Sequence, residues 1–290
     1  MTSVHAEQNA ARLDAALVNQ TVPPGSMRYY ALLYAPPEKR DLLVALHLLE
    51  DELTTTGRST HHDVAHTRLS WWHDELDRLI QGKPAHPATR ALHAARPMLG
   101  AEFAKLKGLI DAAAIDLARV TFADDSELAS YFDRAGGVTA ELAARWLLAP
   151  GDASASTTQA AIGIGALIRR VEALRSLRAN ALVGRIQLPL ATLDALAIDA
   201  GELSKTPWSP AVQSLLQSIR TSLRAELNAA ETSIARSDRP ALRPLLVSAR
   251  LHARLLGRID AQISADTPLW PQLGPFEKLM TAWLAARSAR

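Results

Sequence analysis

The stretch Gln159–Pro189, QAAIGIGALIRRVEALRSLRANALVGRIQLP, carries two stripes of side chains at helical spacing. Apolar residues recur every three or four positions, which predicts one buried face of a helix: Ile164, Leu167, Ile168, Val171 and Leu174. A polar stripe runs beside that face, through Arg169, Glu172, Ser176 and Asn180. A polar stripe flanked by apolar ones indicates a helix that lines a cavity. Pro189 cannot continue a helix interior, so the helix ends before it.

The composition of the chain favours an all-α fold. Alanine and leucine dominate its 290 residues, only 5 % are aromatic, and alternating Val, Ile and Thr are scarce. A net charge of +2 gives no strong electrostatic reason to expect a nucleic-acid partner. The isoelectric point of about 9.0 permits weak attraction to anionic surfaces. Cysteine is absent, which excludes disulfides and thiolate chemistry.

Neither a signal peptide nor a membrane span is expected from the sequence. The first twenty residues contain several charged side chains and no apolar core segment. No window approaches the roughly eighteen uninterrupted apolar residues that a spanning helix needs. We therefore expect a cytoplasmic protein, and contact with the membrane surface stays open as an option.

The quoted stretch resembles the second signature of the squalene/phytoene synthase family, Q-L-T-N-I-L-R-D-x-x-E-D-x-x-x-G-R-x-Y-L-P. Among the positions that match without a gap are Arg175, Gly184, Arg185, Leu188 and Pro189. Arg169 and Glu172 stand at the glutamine and asparagine of the signature. Its two metal-binding aspartates fall on Ser176 and Asn180, neither of which is a carboxylate.

An earlier segment resembles the first acidic motif of the same family. A helix is predicted from about Glu38 to Thr54, and the family's D-x-x-x-D then falls on Thr54 to Arg58. Both aspartates are again missing. A local gap would make the nearby acidic run Glu50–Glu52 the motif instead, but a gap inside a helix rotates every following side chain. We therefore interpret that run as a solvated helix face. Whether Glu50, Asp51 and Glu52 could replace the missing aspartates as metal ligands stays open.

Two further segments resemble the family in the same order along the chain. They are the W-W-x-x-E-L…G-x-x-x-H-P pattern that begins at Trp71, and the Y-x-x-x-A-G-x-V pattern that begins at Tyr131. The resemblance thus covers nearly the whole chain. It implies one domain over residues 1–290, an all-α, isoprenoid-synthase-like helical bundle around a central cavity. The Gln159–Arg178 helix is expected to face the Leu42–Thr54 helix.

In this family two aspartate-rich motifs hold Mg²⁺, which binds the diphosphates of two prenyl substrates that condense head to head. Magnesium prefers carboxylate and phosphate oxygens, and it neutralises the leaving diphosphate. With four aspartates replaced, we predict a pseudoenzyme without catalytic or metal-binding residues and without a cofactor, acting as a prenyl-lipid binder or assembly factor. The alternative is an active prenyltransferase that uses Mg²⁺ and displaced acidic residues; a helical scaffold without any ligand is a third possibility.

The candidate ligand-binding residues follow from the polar stripe and from the positions of the two motifs. They are Thr54, Arg58, Tyr131, Arg169, Glu172, Arg175, Ser176, Asn180 and Arg185. The arginines among them are suited to direct contact with phosphate. The expected partners are a prenyl diphosphate or another apolar lipid, with a protein partner open.

Overall fold

The structure, a computed structural model, describes residues 13–96, 100–149, 154–265 and 271–289. These residues form fifteen α-helices: α1 (Ala15–Thr21), α2 (Met27–Leu32), α3 (Pro37–Gly57), α4 (His62–Ile80), α5 (Pro87–Ala95), α6 (Gly100–Phe103), α7 (Lys107–Ala118), α8 (Asp125–Phe132), α9 (Val138–Leu147), α10 (Ala155–Arg175), α11 (Leu177–Leu182), α12 (Leu190–Ala195), α13 (Pro210–Ser233), α14 (Arg243–Ala265) and α15 (Pro275–Ser288). Within the described ranges there is no β-strand, and the predicted all-α fold is confirmed.

Helix α10 lies at the centre of the bundle and packs against α9, α13 and α14. Its start is fixed by Ser154, whose side chain accepts a hydrogen bond from the backbone N–H of Thr157 at 3.1 Å. Four of the five residues of the predicted apolar face are buried, and Ile164 and Val171 are fully so. The remaining member, Ile168, is half-buried because it lines a cavity.

Helix α10 ends earlier along the chain than the sequence pattern predicts. It ends at Arg175, and Ser176 connects it to the short helix α11. The Ser176 hydroxyl donates to the Glu172 carbonyl oxygen at 2.8 Å, so this side chain bonds to its own helix. Of the predicted polar stripe, Arg169 and Glu172 line the central cavity described below and Ser176 and Asn180 do not, so the continuous stripe is wrong beyond Glu172.

A π-helical turn, Asp133–Gly137, joins α8 to α9 and brings the chain into backbone contact with α10. A Cβ atom on Gly165 would collide with the carbonyl oxygen of Gly136, and one on Gly136 would collide with the Arg169 side chain. The two glycines therefore permit the close crossing of these elements. The crossing also leaves the stem of Arg169 lying directly on the backbone of Gly136.

A central cavity of about 480 Å³ lies between α2, α3, α9, α10 and α14. Helices α3 and α10 both line this cavity. In the part of the chain that the structure describes, no helix combines the length and the apolar run that crossing a membrane requires.

Candidate functional site

The cavity combines an apolar lining with a cluster of charged side chains. The apolar lining comes mainly from α2, α3, α9 and α14 and includes Ala31, Leu32, Leu43, Ala140, Ala143, Leu147, Leu245 and Leu255. Besides Lys278, the charged or titratable side chains of the lining are Arg28, His47, Glu50, Arg169, Glu172, Arg175 and His252, here called the charged cluster. A lining of this kind suits an amphipathic ligand, because an apolar body and a charged group both find complementary surfaces.

Glu50 is the carboxylate that α3 contributes to the charged cluster. Its side chain is buried, His47 Nδ1 lies 3.1 Å from its Oε2, and Arg28 Nη2 lies 3.8 Å away. Burial alone would raise the pKa of Glu50, but the hydrogen bond and charge of His47, with the charges of Arg169 and Arg28, lower it to about 2. Glu50 is therefore a buried, fully ionised carboxylate.

The interpretation of Glu50–Glu52 as a solvated face is wrong for Glu50. Successive helical residues point about 100° apart, so three neighbours cannot share one face. Glu50 turns into the cavity, and Asp51 forms a two-pronged ion pair with Arg28 at 2.5 and 3.0 Å. Glu52 turns to the other side and pairs with Arg68 at 3.1 Å.

Glu172 is the carboxylate that α10 contributes. Its Oε2 lies 2.5 Å from Arg175 Nη2, and its Oε1 lies 3.2 Å from His252 Nε2. The other ring nitrogen of His252 lies 2.7 Å from the carbonyl oxygen of Ser248, which can only accept. Burial would raise the pKa of Glu172, but the hydrogen bond from His252 and the charges of His252, Arg175 and Arg169 lower it. Arg175 and the contact with His252 thus hold this carboxylate ionised.

Arg169 differs from the other cations of the cluster in its partners. Its closest hydrogen bond joins Nη2 to the Thr54 hydroxyl at 3.4 Å, and among the described residues no carboxylate lies within 4.0 Å of it. Burial would lower the pKa of its guanidinium, but nearby negative charges, foremost that of Glu50, raise it. Arg169 therefore presents a positive charge to the cavity without a salt-bridge partner of its own.

The acidic groups of the site do not fit the Mg²⁺ cluster that the resemblance implies. Asp51 pairs with Arg28, Glu172 pairs with Arg175, and Glu50 lies between His47 and Arg28. Among the described residues no group of three or more His, Asp or Glu side chains is arranged to hold a metal ion. Magnesium requires several carboxylate or phosphate oxygens around one point, and the cationic neighbours compete for those that the cluster contains.

Four predicted ligand residues lie outside the cavity, in or beside a second polar network. The Tyr131 hydroxyl donates to Asp116 Oδ1 at 2.9 Å, and Gln187 Nε2 donates to that hydroxyl at 2.9 Å. Asn180 Nδ2 donates to Gln187 Oε1 at 3.2 Å. Arg185 donates to two backbone carbonyls, those of Asp116 and Gly57, at 3.2 Å each. Tyr131, Asn180 and Arg185 therefore connect α7, α8 and α11, and their prediction as cavity residues is wrong. The fourth, Arg58, is exposed at the end of α3 and does not line the cavity.

Burial changes the ionisation of this second network. It raises the pKa of Asp116, although the hydrogen bond from Tyr131 and the charge of Arg169 act against it. Burial, followed by the charge of Asp116, raises the pKa of Tyr131 as well. The tyrosine hydroxyl is therefore a hydrogen-bond donor that stays protonated.

The cavity contains three of the nine predicted ligand residues: Arg169, Glu172 and Arg175. Thr54 lies in an adjoining hollow, where it accepts the hydrogen bond from Arg169, and Ser176 is buried against its own helix. The sequence interpretation missed Arg28, His47 and His252. His47 and Glu50 are three residues apart on α3, a spacing that places both on one helix face and could have indicated their contact.

Comparison with known proteins agrees with the sequence motifs. A sequence model described as squalene/phytoene synthase matches residues 23–272. The chain belongs to the squalene/phytoene synthase family. No curated protein sequence matches it significantly.

Three solved structures share the fold at low identity. A dehydrosqualene synthase in complex with ligand superposes with a TM-score of 0.78 at 15 % identity, covering 98 % of each chain. Squalene synthase HpnC from Alicyclobacillus acidocaldarius gives 0.72 at 16 % identity, covering 91 % of this chain and 97 % of that one. YisP from Bacillus subtilis gives 0.68 at 17 %, with 96 % and 95 % covered. At these identities the likeness concerns the fold, and the activity has to be argued from the site.

Proposed function

We propose that this member of the squalene/phytoene synthase family has lost Mg²⁺-dependent condensation and binds one prenyl diphosphate or similar anionic lipid, as a pseudoenzyme. The observation that carries the proposal is the distribution of partners in the charged cluster. Glu50 has Arg28 at 3.8 Å and Glu172 has Arg175 at 2.5 Å, whereas Arg169 has none of the described carboxylates within 4.0 Å. The unbalanced charge of the cavity is thus positive, and it suits a phosphate oxygen.

The size of the cavity supports one ligand at a time. Its volume is about 480 Å³, and sites for a single drug-sized ligand span roughly 300–1,000 Å³. Head-to-head condensation requires two long prenyl chains and two diphosphates together. A cavity near the lower end of the single-ligand range favours binding over condensation.

The chemistry of the cluster also favours binding over reaction. Departure of diphosphate is assisted most by metal ions that neutralise the developing charge. An arginine that binds the ground-state diphosphate as tightly as the transition state adds affinity without adding rate. A lipid held in this way is suited to a carrier or to an assembly factor that presents it to a partner.

Calorimetric titration with farnesyl diphosphate in the presence of EDTA tests the proposal. We expect binding that does not need Mg²⁺, and a loss of roughly tenfold or more in affinity for Arg169→Met, because a charge-assisted hydrogen bond is lost. Arg170→Met is the matched control. Arg170 is the next residue of the same helix but pairs with Glu226 at 2.9 Å, and its replacement should leave the affinity within about twofold.

The rival function, an active prenyltransferase, is favoured by one observation. Glu50 and Glu172 reach the same cavity from facing helices, as the acidic motifs of the family do. Incubation with farnesyl or geranylgeranyl diphosphate and Mg²⁺ separates the two functions. Mg²⁺-dependent release of diphosphate with a head-to-head product, abolished by Glu50→Gln, would establish the rival and exclude the pseudoenzyme.

A further inference from the structure

The last helix, α15, exposes an apolar stripe along one entire face. Five large side chains recur at three- and four-residue spacing and are exposed by 74, 47, 36, 46 and 54 %: Phe276, Leu279, Met280, Trp283 and Leu284. The opposite face of α15 holds Ala282, Ala285 and Ala286, which are buried where the helix packs against α14 and α2. Small residues face the protein and large apolar ones face outward, which is the reverse of an ordinary surface helix.

We propose that this stripe docks the protein on an anionic lipid membrane, with α15 lying in the plane of the headgroups. Helices that bind membranes in this way combine Trp, Phe and Leu on one face with basic residues beside them. Here the Arg287 guanidinium lies 5.5 Å from the centre of the Trp283 ring, at one end of the stripe. Arg254 and Arg258, both more than half exposed, share the carboxylate of Glu277, so these three side chains together carry a net positive charge next to the stripe.

The area of the stripe argues against a second copy of this chain as its occupant. A helix of 14 residues is about 21 Å long and about 10 Å wide, so its outward face covers on the order of 200 Å². A stable dimer needs roughly 800 Å² from each partner. A membrane has no such requirement, since a few side chains inserted among headgroups suffice when basic residues assist.

The position of the stripe relative to the cavity fits a membrane surface as well. Gln272 and Leu273, which directly precede α15, and Lys278 within it line the cavity. A protein docked through α15 would hold the cavity next to the bilayer. The docking surface does not depend on the proposed ligand, because the exposure and charge of α15 are independent of what the cavity binds.

Co-sedimentation with vesicles tests this inference on the full chain. Vesicles of phosphatidylcholine alone are compared with vesicles that also contain an equal part of phosphatidylglycerol. We expect binding to the anionic vesicles only, and a loss of roughly tenfold or more in affinity for Trp283→Ser with Leu284→Ser, because two inserted side chains are removed. The control is Leu182→Ser with Val183→Ser, an adjacent pair on and after α11 that is 69 and 42 % exposed; it should bind like the unmodified protein.

Because the chain contains no cysteine, a single introduced thiol reports the contact directly. An environment-sensitive dye on Leu279→Cys should shift to the blue on anionic vesicles, whereas the same dye on Leu182→Cys should not. Equal binding of the Trp283/Leu284 variant, or equal binding to neutral vesicles, would overturn the proposal. The proposal would also be overturned if the protein did not bind vesicles but sedimented as a dimer, and if the Trp283/Leu284 variant sedimented as a monomer.

Discussion

At the scale of single residues, the cavity depends on buried charges that neutralise one another. Glu50 is held between His47 and Arg28, and Glu172 between Arg175 and His252. A buried carboxylate without such partners would be costly, because its charge loses its hydration. These partners therefore stabilise the carboxylates in the cavity, and they also compete for the oxygens that a Mg²⁺ ion would need.

Glu50→Gln should destabilise the protein in a pH-dependent way. The folded-state pKa of Glu50 is about 2 against an ordinary 4.5, so the folded protein binds the proton less tightly than the unfolded chain. The ionised carboxylate then contributes stability above pH 4.5, on the order of 3 kcal/mol at pH 7, and this contribution is lost as the pH falls from 4.5 toward 2. Urea unfolding at pH 7, 5 and 3.5 measures it.

The matched control for this measurement is Glu52→Gln on the same helix. Glu52 pairs with the half-exposed Arg68 at 3.1 Å, and exposed pairs of this kind contribute at most about 1 kcal/mol. Two results would contradict the assigned environment of Glu50. One is a loss in the free energy of unfolding for Glu50→Gln that is as small as that of the control. The other is a loss that does not shrink below pH 4.5.

At the scale of elements, the crossing of α10 with the π-helical turn sets the geometry of the cavity. Gly165 and Gly136 meet backbone to backbone, and Arg169 lies against the same contact. A π-helical turn often occurs at a functional position, because it shifts the register of the helix that follows. Here it allows α9 to line the cavity while Gly136 supports the stem of the arginine.

Two neighbouring glycines of α10 should therefore respond to alanine in opposite ways. Gly165→Ala should destabilise the protein by about 1–3 kcal/mol, because its Cβ overlaps the Gly136 carbonyl and the backbones must separate. Gly163→Ala meets nothing within 4 Å and should stabilise it by about 0.5–1 kcal/mol through helix propensity. Denaturant unfolding of both variants measures this, and equal effects of the two would show that the crossing is not tight.

The sequence predicted the helices and their buried faces well, but it predicted the residues of the site only in part. Helical periodicity places Ile164 and Val171 in the core because the α-helical repeat fixes which residues share a face. It fails at Ser176, where helix α10 has ended and the side chain bonds back to the Glu172 carbonyl. It also missed His252, since that residue reaches Glu172 from a helix about 80 positions later, and such contacts between distant segments leave no local periodicity.

At the scale of the whole molecule, the cavity is built from segments that are far apart in the chain. Its walls come from α2, α3, α9, α10 and α14, and from the residues that lead into α15. A ligand can contact all of these walls only when the helices are assembled in the folded protein. Binding should therefore stabilise the entire fold rather than one region of it.

Thermal unfolding with separate parts of the ligand tests this coupling. At about a hundredfold excess over Kd, farnesyl diphosphate should stabilise the protein by about 2.7 kcal/mol, a rise in Tm on the order of 5 °C for a chain of this size. Farnesol lacks the anion for Arg169, and inorganic diphosphate lacks the chain for the apolar lining, so each alone should raise Tm less. Arg169→Met should reduce the effect of farnesyl diphosphate to that of farnesol, because both then lack the same contact. EDTA in every sample keeps metal ions out of the comparison. If inorganic diphosphate alone produced the full rise, the site would be a phosphate site without a lipid chain, and the amphipathic ligand would be excluded.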